Sequence, residues 1–447
     1  MQSKRDPDGA RRRHQRIRLR VFLPFATVAV ASAALAPGLA AAATTYGPTR
    51  MVSVSPSNAP GNWESRSAVV SADGSTVAFR SKATNLVAGD TNGGEYGDDI
   101  FVRNRTTGTT RRASVSSSGQ QANYYSYLPS ISANGEVVAF TSEASNLVSG
   151  DTNRAADVFV HSFVTGRTTR VSVGAGGRQA AGWSESSPLA ISADGRYVAF
   201  WSDAPNLVSG DTNGHSDVFV RDRSTGVTTR VSVGPGGTAG NSDSTSAAMA
   251  ANGKAVAFES TASNLVANDT NAARDVFLRD LANHVTRRMS VGPGGQQTAA
   301  GSYSYDAAVS RDGMRVSFAS TAANLVANDT NGETDVFVRD RATATTRLVS
   351  SDATGAPGGG TNPVLSPDGR YVLFSSPRGV VVRDLGAGST TLITVGWDGQ
   401  PDNASEEDPG GISTGGRVVV FSSNATNLVK NDTYREQEVF LRVRTAG

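Results

Sequence analysis

Almost everything after residue 43 is a variation on residues 191–234, ISADGRYVAFWSDAPNLVSGDTNGHSDVFVRDRSTGVTTRVSVG, and this repetition limits the fold more than any other feature of the 447-residue chain. Read by period, the segment holds four short strands. Residues 189–192 form the first, before a turn at Ala193-Asp194-Gly195. Residues 197–202 form the second, with Tyr197, Ala199 and Trp201 on one side and Val198, Phe200 and Ser202 on the other. Residues 217–223 and 227–233 form the third and fourth, joined by a turn at Ser224-Thr225-Gly226. Asp-Gly and Thr-Gly between alternating β-branched runs are hairpin signals, because Gly accepts the positive φ such turns require. The second-to-third connection is longer and carries NLVSGDTNG, a motif that six of the seven units share in some form.

The second-strand Phe recurs at Phe79, Phe140, Phe200, Phe258, Phe318, Phe374 and Phe421. The third-strand Phe recurs at Phe101, Phe159, Phe219, Phe277, Phe337 and Phe440, with Val381 in the sixth unit. That sixth unit runs from Phe374 through Pro377-Arg378-Gly379 directly into Val380, so the long loop is an insertion on a four-stranded unit of ordinary blade length. Four strands repeated seven times predict an all-β chain, a seven-bladed β-propeller over residues 44–447. A lone four-stranded sheet cannot bury both faces, whereas radial packing can, and closing the circle removes the end units. An open solenoid would need capping units, and the sequence shows none.

The seventh unit ends without a fourth strand, while residues 50–54, Arg-Met-Val-Ser-Val, match the fourth strands at 229–233 and 287–291. The N-terminal strand is therefore expected to complete the last blade. The S-x-D-G turns followed by a V-A-F-like strand (Ser71-Ala72-Asp73-Gly74, Ser192-Ala193-Asp194-Gly195, Ser310-Arg311-Asp312-Gly313, Ser366-Pro367-Asp368-Gly369) and the D-V-F-V-R-D-x-x-T-G run at 217–226 resemble the TolB-like propellers built of PD40 (WD40-like) repeats. The resemblance covers residues 46–445. It implies a propeller that presents binding surfaces.

Residues 1–43 read as a secretory signal peptide: eight Lys and Arg between Lys4 and Arg20, an apolar run from Val21 to Ala36, and a small-residue site at Ala41-Ala42-Ala43. The apolar run falls short of the roughly 20 residues a span needs. Sec export is preferred to the twin-arginine route that Arg12-Arg13 invites. Removing the signal leaves 34 basic against 38 acidic residues, a net charge of −4 in place of +2. Nucleic-acid binding thereby loses its electrostatic support. Without cysteine there is neither a disulfide framework nor a lipid acceptor. A secreted or envelope-associated monomer without stable membrane insertion is expected.

The mature chain has three histidines, His161, His215 and His284, at unrelated repeat positions, and they read as exposed surface residues. No metalloprotease, nucleophile-elbow, phosphate-loop or dinucleotide motif is present. Two groups of residues stand out. The first is the D-x-N-x-x-x-D loop, with copies Asp90/Asn92/Asp99 (three residues longer), Asp151/Asn153/Asp157, Asp211/Asn213/Asp217, Asp269/Asn271/Asp275 and Asp329/Asn331/Asp335; Asp432/Tyr434/Glu438 is a departing seventh-unit copy. Oxygen side chains at positions 1 and 3 resemble the opening of a calcium loop. The same residues equally suit an Asx-turn scaffold, with the Leu-Val pair plugging the loop onto the blade. Both readings stand, and calcium is the only cofactor expected.

The second group precedes each first strand: Glu64, Tyr125, Glu185, Asp243, Tyr303, Gly359 and Glu406, with Trp63 and Trp183 beside them. These residues should ring the channel mouth on the face that carries the loops. Aromatic rings with carboxylates suit glycans, peptides or cationic groups. The outer-strand Thr-Thr-Arg runs read as exposed edge protection. The expected function is a non-catalytic binding propeller for an extracellular or envelope protein or glycan. The alternative is a polysaccharide hydrolase or lyase that pairs Glu64 with Glu406 or Glu185 with Asp243.

Overall fold

The computed structural model describes residues 46–445 apart from 94–96 and 353; residues 1–43, which the sequence suggests are a signal peptide, lie outside the described residues. Seven antiparallel four-stranded sheets follow one another as blades. Blade 1 consists of Ser65–Val70, Thr76–Ser81, Asp99–Asn104 and Thr110–Arg112. Blade 6 consists of Thr361–Leu365, Tyr371–Ser376, Gly379–Asp384 and Ser389–Leu392, without the long loop.

The middle strands are buried on both faces, which explains their near-continuous apolar runs. Phe200 pairs in register with Phe219, and their rings stack at 5.7 Å. Equivalent stacked pairs occur in every blade except the sixth, where Phe374 faces Val381. The core is shared between neighbours. Ala199, Val218 and Val220 of blade 3 pack against Met249, Val256 and Phe258 of blade 4. Each interface of this kind removes apolar surface that one sheet could not bury alone.

The S-x-D-G turns form a second, polar belt. Ser192 Oγ donates to Asp194 at 2.6 Å and accepts the Tyr197 amide at 2.9 Å. Gly195 has a φ of 71°, and a Cβ there would meet Val137 of the preceding blade at 3.0 Å. The turns also bond to one another across blades: the Ala133 amide to the Ala193 carbonyl (3.0 Å), Ala193 to Ala251 (2.8 Å), Arg311 to Pro367 (2.7 Å) and Thr414 to Ala72 (2.9 Å). Pro367 has no N–H to continue the belt, and Asp368 Oδ2 instead accepts the Gly415 amide at 3.1 Å.

The ring closes as the repeat implies. Arg50–Met51 is the outer strand of blade 7, pairing with Leu441 and Phe440 beside Val418–Ser423 and Glu407–Ile412. The Val52 amide reaches the Val439 carbonyl at 2.7 Å, and Ser53 Oγ accepts the Val439 amide. The Arg442 guanidinium donates to the carbonyls of Gly47, Tyr46 and Ile393.

Two strand boundaries differ from expectation. The first strand of blade 3 is Ser184–Glu185, and of residues 189–192 only Ile191 keeps a bridge, to Val198. Two extra residues lie between Ser184 and Ser192, where other blades keep six-residue spacing (Ser244 to Ala250), and Pro188 interrupts the ladder. The fourth strand ends at Arg230, because Val233 turns away to bridge Ala239. Five inner strands carry a bulge at a residue of positive φ: Ser67, Leu128, Ser246, Asp306 and Asn362, with φ between 52° and 54°. A bulge takes one amide out of the ladder and re-aims it.

Candidate functional site

The second-to-third loops and the fourth-to-first connections share one face and lock onto each other. In blade 3, Asn206 Nδ2 donates to the Gln179 carbonyl (2.9 Å), while its Oδ1 accepts the Ala181 amide (2.8 Å). Leu207 is buried beneath them. Further along the loop, Asp217 is fully buried. One of its oxygens accepts Ser232 Oγ; the other accepts Asn213 Nδ2 at 2.8 Å and Arg230 Nη1 at 2.9 Å. Arg230 also bonds Asp211 at 3.0 Å. Asn213 reaches the Gly240 carbonyl and thereby joins the loop to the next connection.

Blades 1, 2 and 4 repeat this arrangement. Arg112 lies 2.8 Å from Asp90 and 3.3 Å from Asp99. Arg170 lies 3.5 Å from Asp151 and 3.0 Å from Asp157; Arg288 lies 3.4 Å from both Asp269 and Asp275. Arg170 and Arg230 end Thr-Thr-Arg runs, and Arg112 and Arg288 are the second arginines of Thr-Thr-Arg-Arg and Val-Thr-Arg-Arg. Their side chains are only 7–11% exposed. They are the cations around which the loops fold, which corrects their reading as exposed edge protection.

In these four blades a guanidinium stands where a chelated metal would sit. The donor set Asp90, Asn92, Asp99, Asp151, Asn153, Asp157, Asp211, Asn213, Asp217, Asp269, Asn271 and Asp275 therefore does not fit calcium. The fifth loop differs. Leu348 holds the arginine's register position opposite Phe337, and no ion pair reaches Asp329 among the described residues. Asp335 there accepts Asn331 Nδ2 (2.8 Å), Ser350 Oγ and the Gly359 amide.

Around the channel mouth, the expected residues have separate partners. Lys82 (2.7 Å) and Arg66 (3.3 Å) engage Glu64. Burial pushes the Glu64 pKa up, but the Lys82 hydrogen bond and the nearby cations outweigh it and hold the group low. Asp243 accepts the Ser216 amide (3.0 Å) and lies 3.3 Å from His215 Nδ1. Tyr125 packs edge-on against Tyr124 at 4.7 Å. Trp63 is 48% and Tyr303 56% exposed. Glu406 is exposed, with its amide donated to Asn424.

The structure does bring Trp183, Glu185 and Tyr127 together. Glu185 Oε1 accepts Trp183 Nε1 at 2.9 Å and the Tyr127 hydroxyl of the preceding blade at 3.3 Å. Because of the two extra residues in blade 3, Trp183, not Glu185, is the equivalent of Glu64.

The carboxylates that meet near the channel are ones the repeat reading missed. Glu259 of blade 4, 3% exposed, accepts the bulge amide of Asp306 in blade 5 at 2.8 Å, and Arg274 lies 3.6 Å away. In blade 2, Thr141 accepts the Ser186 amide in the same way. A position-by-position alignment shows the signal: Arg80, Thr141, Trp201, Glu259 and Ala319 share one slot with no common chemistry. His161 was another misreading. It is buried, and its Nδ1 lies 2.9 Å from Thr168 Oγ1.

Burial, then the Asp306 charge, push Glu259 up to about 7. Its contribution to stability is thus present below about pH 4.5 and lost as pH rises through 7. Glu259→Gln, permanently neutral, should gain on the parent protein between pH 5 and pH 8 in urea unfolding. Parallel pH profiles would contradict this assignment.

The channel's other half, beside the S-x-D-G turns, is apolar. Val70, Ile131, Leu189, Met249, Val309 and Ile412 converge there and leave about 90 Å³. That is far below the ~300–1,000 Å³ of ordinary ligand sites. Among the described residues no three His, Cys, Asp or Glu side chains converge on one point.

No family model matches the chain, and no curated protein matches it. Similar solved structures include an oligogalacturonate lyase in complex with manganese, 12% identical, with a TM-score of 0.54 over 90% of this chain and 98% of that one. The β-propeller domain of the Trilobed protease from Pyrococcus furiosus is 11% identical, with a TM-score of 0.50 over 86% of this chain and 94% of that one. TolB from Acinetobacter baumannii is 14% identical, with a TM-score of 0.39; the match covers 74% of this chain and spans 64% of TolB's length. At such identities the likeness speaks to the fold alone. The class is that of a seven-bladed β-propeller of four-stranded blades.

Proposed function

We propose that this is an exported, non-catalytic binding propeller whose loop-bearing face takes a protein or glycan outside the cytoplasmic membrane. The observation that carries the reading is the contrast between the two faces. The turn face closes on apolar side chains. The loop face presents exposed Trp63 and Tyr303 and the hydrogen-bonded Trp183–Glu185–Tyr127 cluster, beside connections that the loop asparagines hold in place. Rigid aromatic rings of this kind supply contact area at little entropic cost. The N-terminal basic and apolar run supports export.

The test is a glycan array and a cross-linking capture from envelope fractions with mature protein, residues 44–447. Trp63→Ala with Tyr303→Ala and Trp183→Ala should weaken the captured ligand by about tenfold or more. A ligand bound equally well by the triple variant would move the site elsewhere. Turnover of a bound polysaccharide, abolished by Glu185→Gln or Glu259→Gln, would favour the hydrolase or lyase reading instead.

A further inference from the structure

In blades 1–4 the loop closes on a cation that the chain itself provides. The outer-strand residue opposite the third-strand Phe is Arg112, Arg170, Arg230 or Arg288. In blade 7 that register position, opposite Phe440, belongs to Met51. The loop carboxylates have not gone with the arginine. Asp432 and Glu438 stand where blade 3 has Asp211 and Asp217. Glu438 is 1% exposed. Asp432 Oδ1 accepts the Tyr434 amide at 3.0 Å. Asp432 Oδ2 and Glu438 Oε1 are both buried, no donor from outside the pair reaches them, and the two carboxylates face each other. Among the described residues, no Lys, Arg or His forms an ion pair with either group.

A buried carboxylate pair with nothing to neutralise it costs several kcal/mol. Either a proton shared by the two carboxylates or a positive charge from outside must neutralise the pair, and blades 1–4 show where such a charge sits. We propose that a divalent metal cation occupies this place in blade 7, held by Asp432 and Glu438 where a guanidinium sits in its sister blades. The side-chain donors are all oxygens, which suits a hard cation such as calcium. Glu438 reaches one methylene further than the Asp it replaces and narrows the gap that the guanidinium bridges elsewhere. Blade 5 also lacks the arginine, but Asp335 there already has Asn331, Ser350 and Gly359 as partners. Blade 7 is the site whose own oxygens remain unanswered.

The site also lies where the ring closes, since Met51 and Ser53 come from the N-terminal strand and Glu438 from the last third strand. A cation bound only by the closed ring stabilises it by mass action.

Chelator-treated mature protein would be titrated with calcium chloride in a calorimeter. Terbium luminescence excited through Tyr434 would report the same site. Binding and a melting temperature that rises with calcium are expected. Met51→Arg, which returns the guanidinium, should lose one equivalent of metal and part of the calcium-dependent rise. Glu438→Gln should lose the same equivalent and keeps the proposal testable if Met51→Arg does not fold. No heat, no luminescence and an unmoved melting temperature would overturn the proposal and leave a shared proton between the carboxylates. Equal metal stoichiometry in the parent and both variants would overturn it as well.

Discussion

A mature chain that lacks residues 44–54 is expected to lose the ring. Blade 7 keeps three strands in such a chain, and the edge of Glu438–Val443 is left without its partner. Tyr46, Val52 and Val54, all buried, go with the deleted segment. At about 1.5–3 kcal/mol for each buried apolar side chain, their loss alone removes roughly 4.5–9 kcal/mol. The Arg442 guanidinium also loses the Gly47 and Tyr46 carbonyls and keeps only Ile393. The whole domain has about 5–15 kcal/mol to lose. We therefore expect either no cooperative transition or a melting temperature lower by on the order of 10 °C. Association through the bared edge should appear in size-exclusion chromatography. A truncated protein that stays monomeric and melts within a degree or two of its parent would show that the N-terminal strand is an ornament. A separately added peptide of residues 44–54 that restores the parent melting profile would tie the loss to strand pairing.

This closure could be read from sequence because two independent signs agreed. The seventh unit lacked a fourth strand, and residues 50–54 matched the fourth strands of other blades. Repetition made the rest of the fold legible in the same way: a Phe at one position is weak evidence, but a Phe that returns with every blade is a core layer. What could not be read depends on contacts between segments far apart in sequence. Alternation places the Arg of Thr-Thr-Arg on an edge strand, which ordinarily means solvent. It does not reveal that a loop folds over that edge and buries the guanidinium between two aspartates. Glu259 was missed for a related reason. Its partner is a bulge amide of the next blade, and a bulge leaves little trace in the pattern of residue types. The extra residues before Ile191 shifted Glu185 by two positions, which counting back from the Ser of the turn could not detect.

The buried arginine should be the most costly single side chain to remove. Arg230 contacts Asp211 at 3.0 Å and Asp217 at 2.9 Å, and all three side chains are largely shielded from water. Met at this position is compatible with the strand, since Met51 occupies it in blade 7. Arg230→Met therefore tests the charge more than the shape. Taking away one partner of a buried ion network leaves the other charges uncompensated, at a cost of about 3–5 kcal/mol. Burial already pushes the Asp211 pKa up, and the arginine is what opposes that rise. Without it, the folded-state pKa climbs further above the unfolded value. The variant's deficit should then shrink below the unfolded pKa, near 4, and widen as pH rises toward 8. Asp211→Asn made in the Arg230→Met background should recover part of the loss at pH 7.5, whereas Asp211→Asn alone should destabilise. That change of sign is the coupling expected of residues in one network. Urea unfolding of the four proteins at pH 5 and pH 7.5 measures it. A cost below about 1 kcal/mol for Arg230→Met at pH 7.5, with no pH dependence, would mean that water already carries the charge of these aspartates. The loop would then be held by Asn206, Asn213 and the buried Leu207, and the arginine would be incidental.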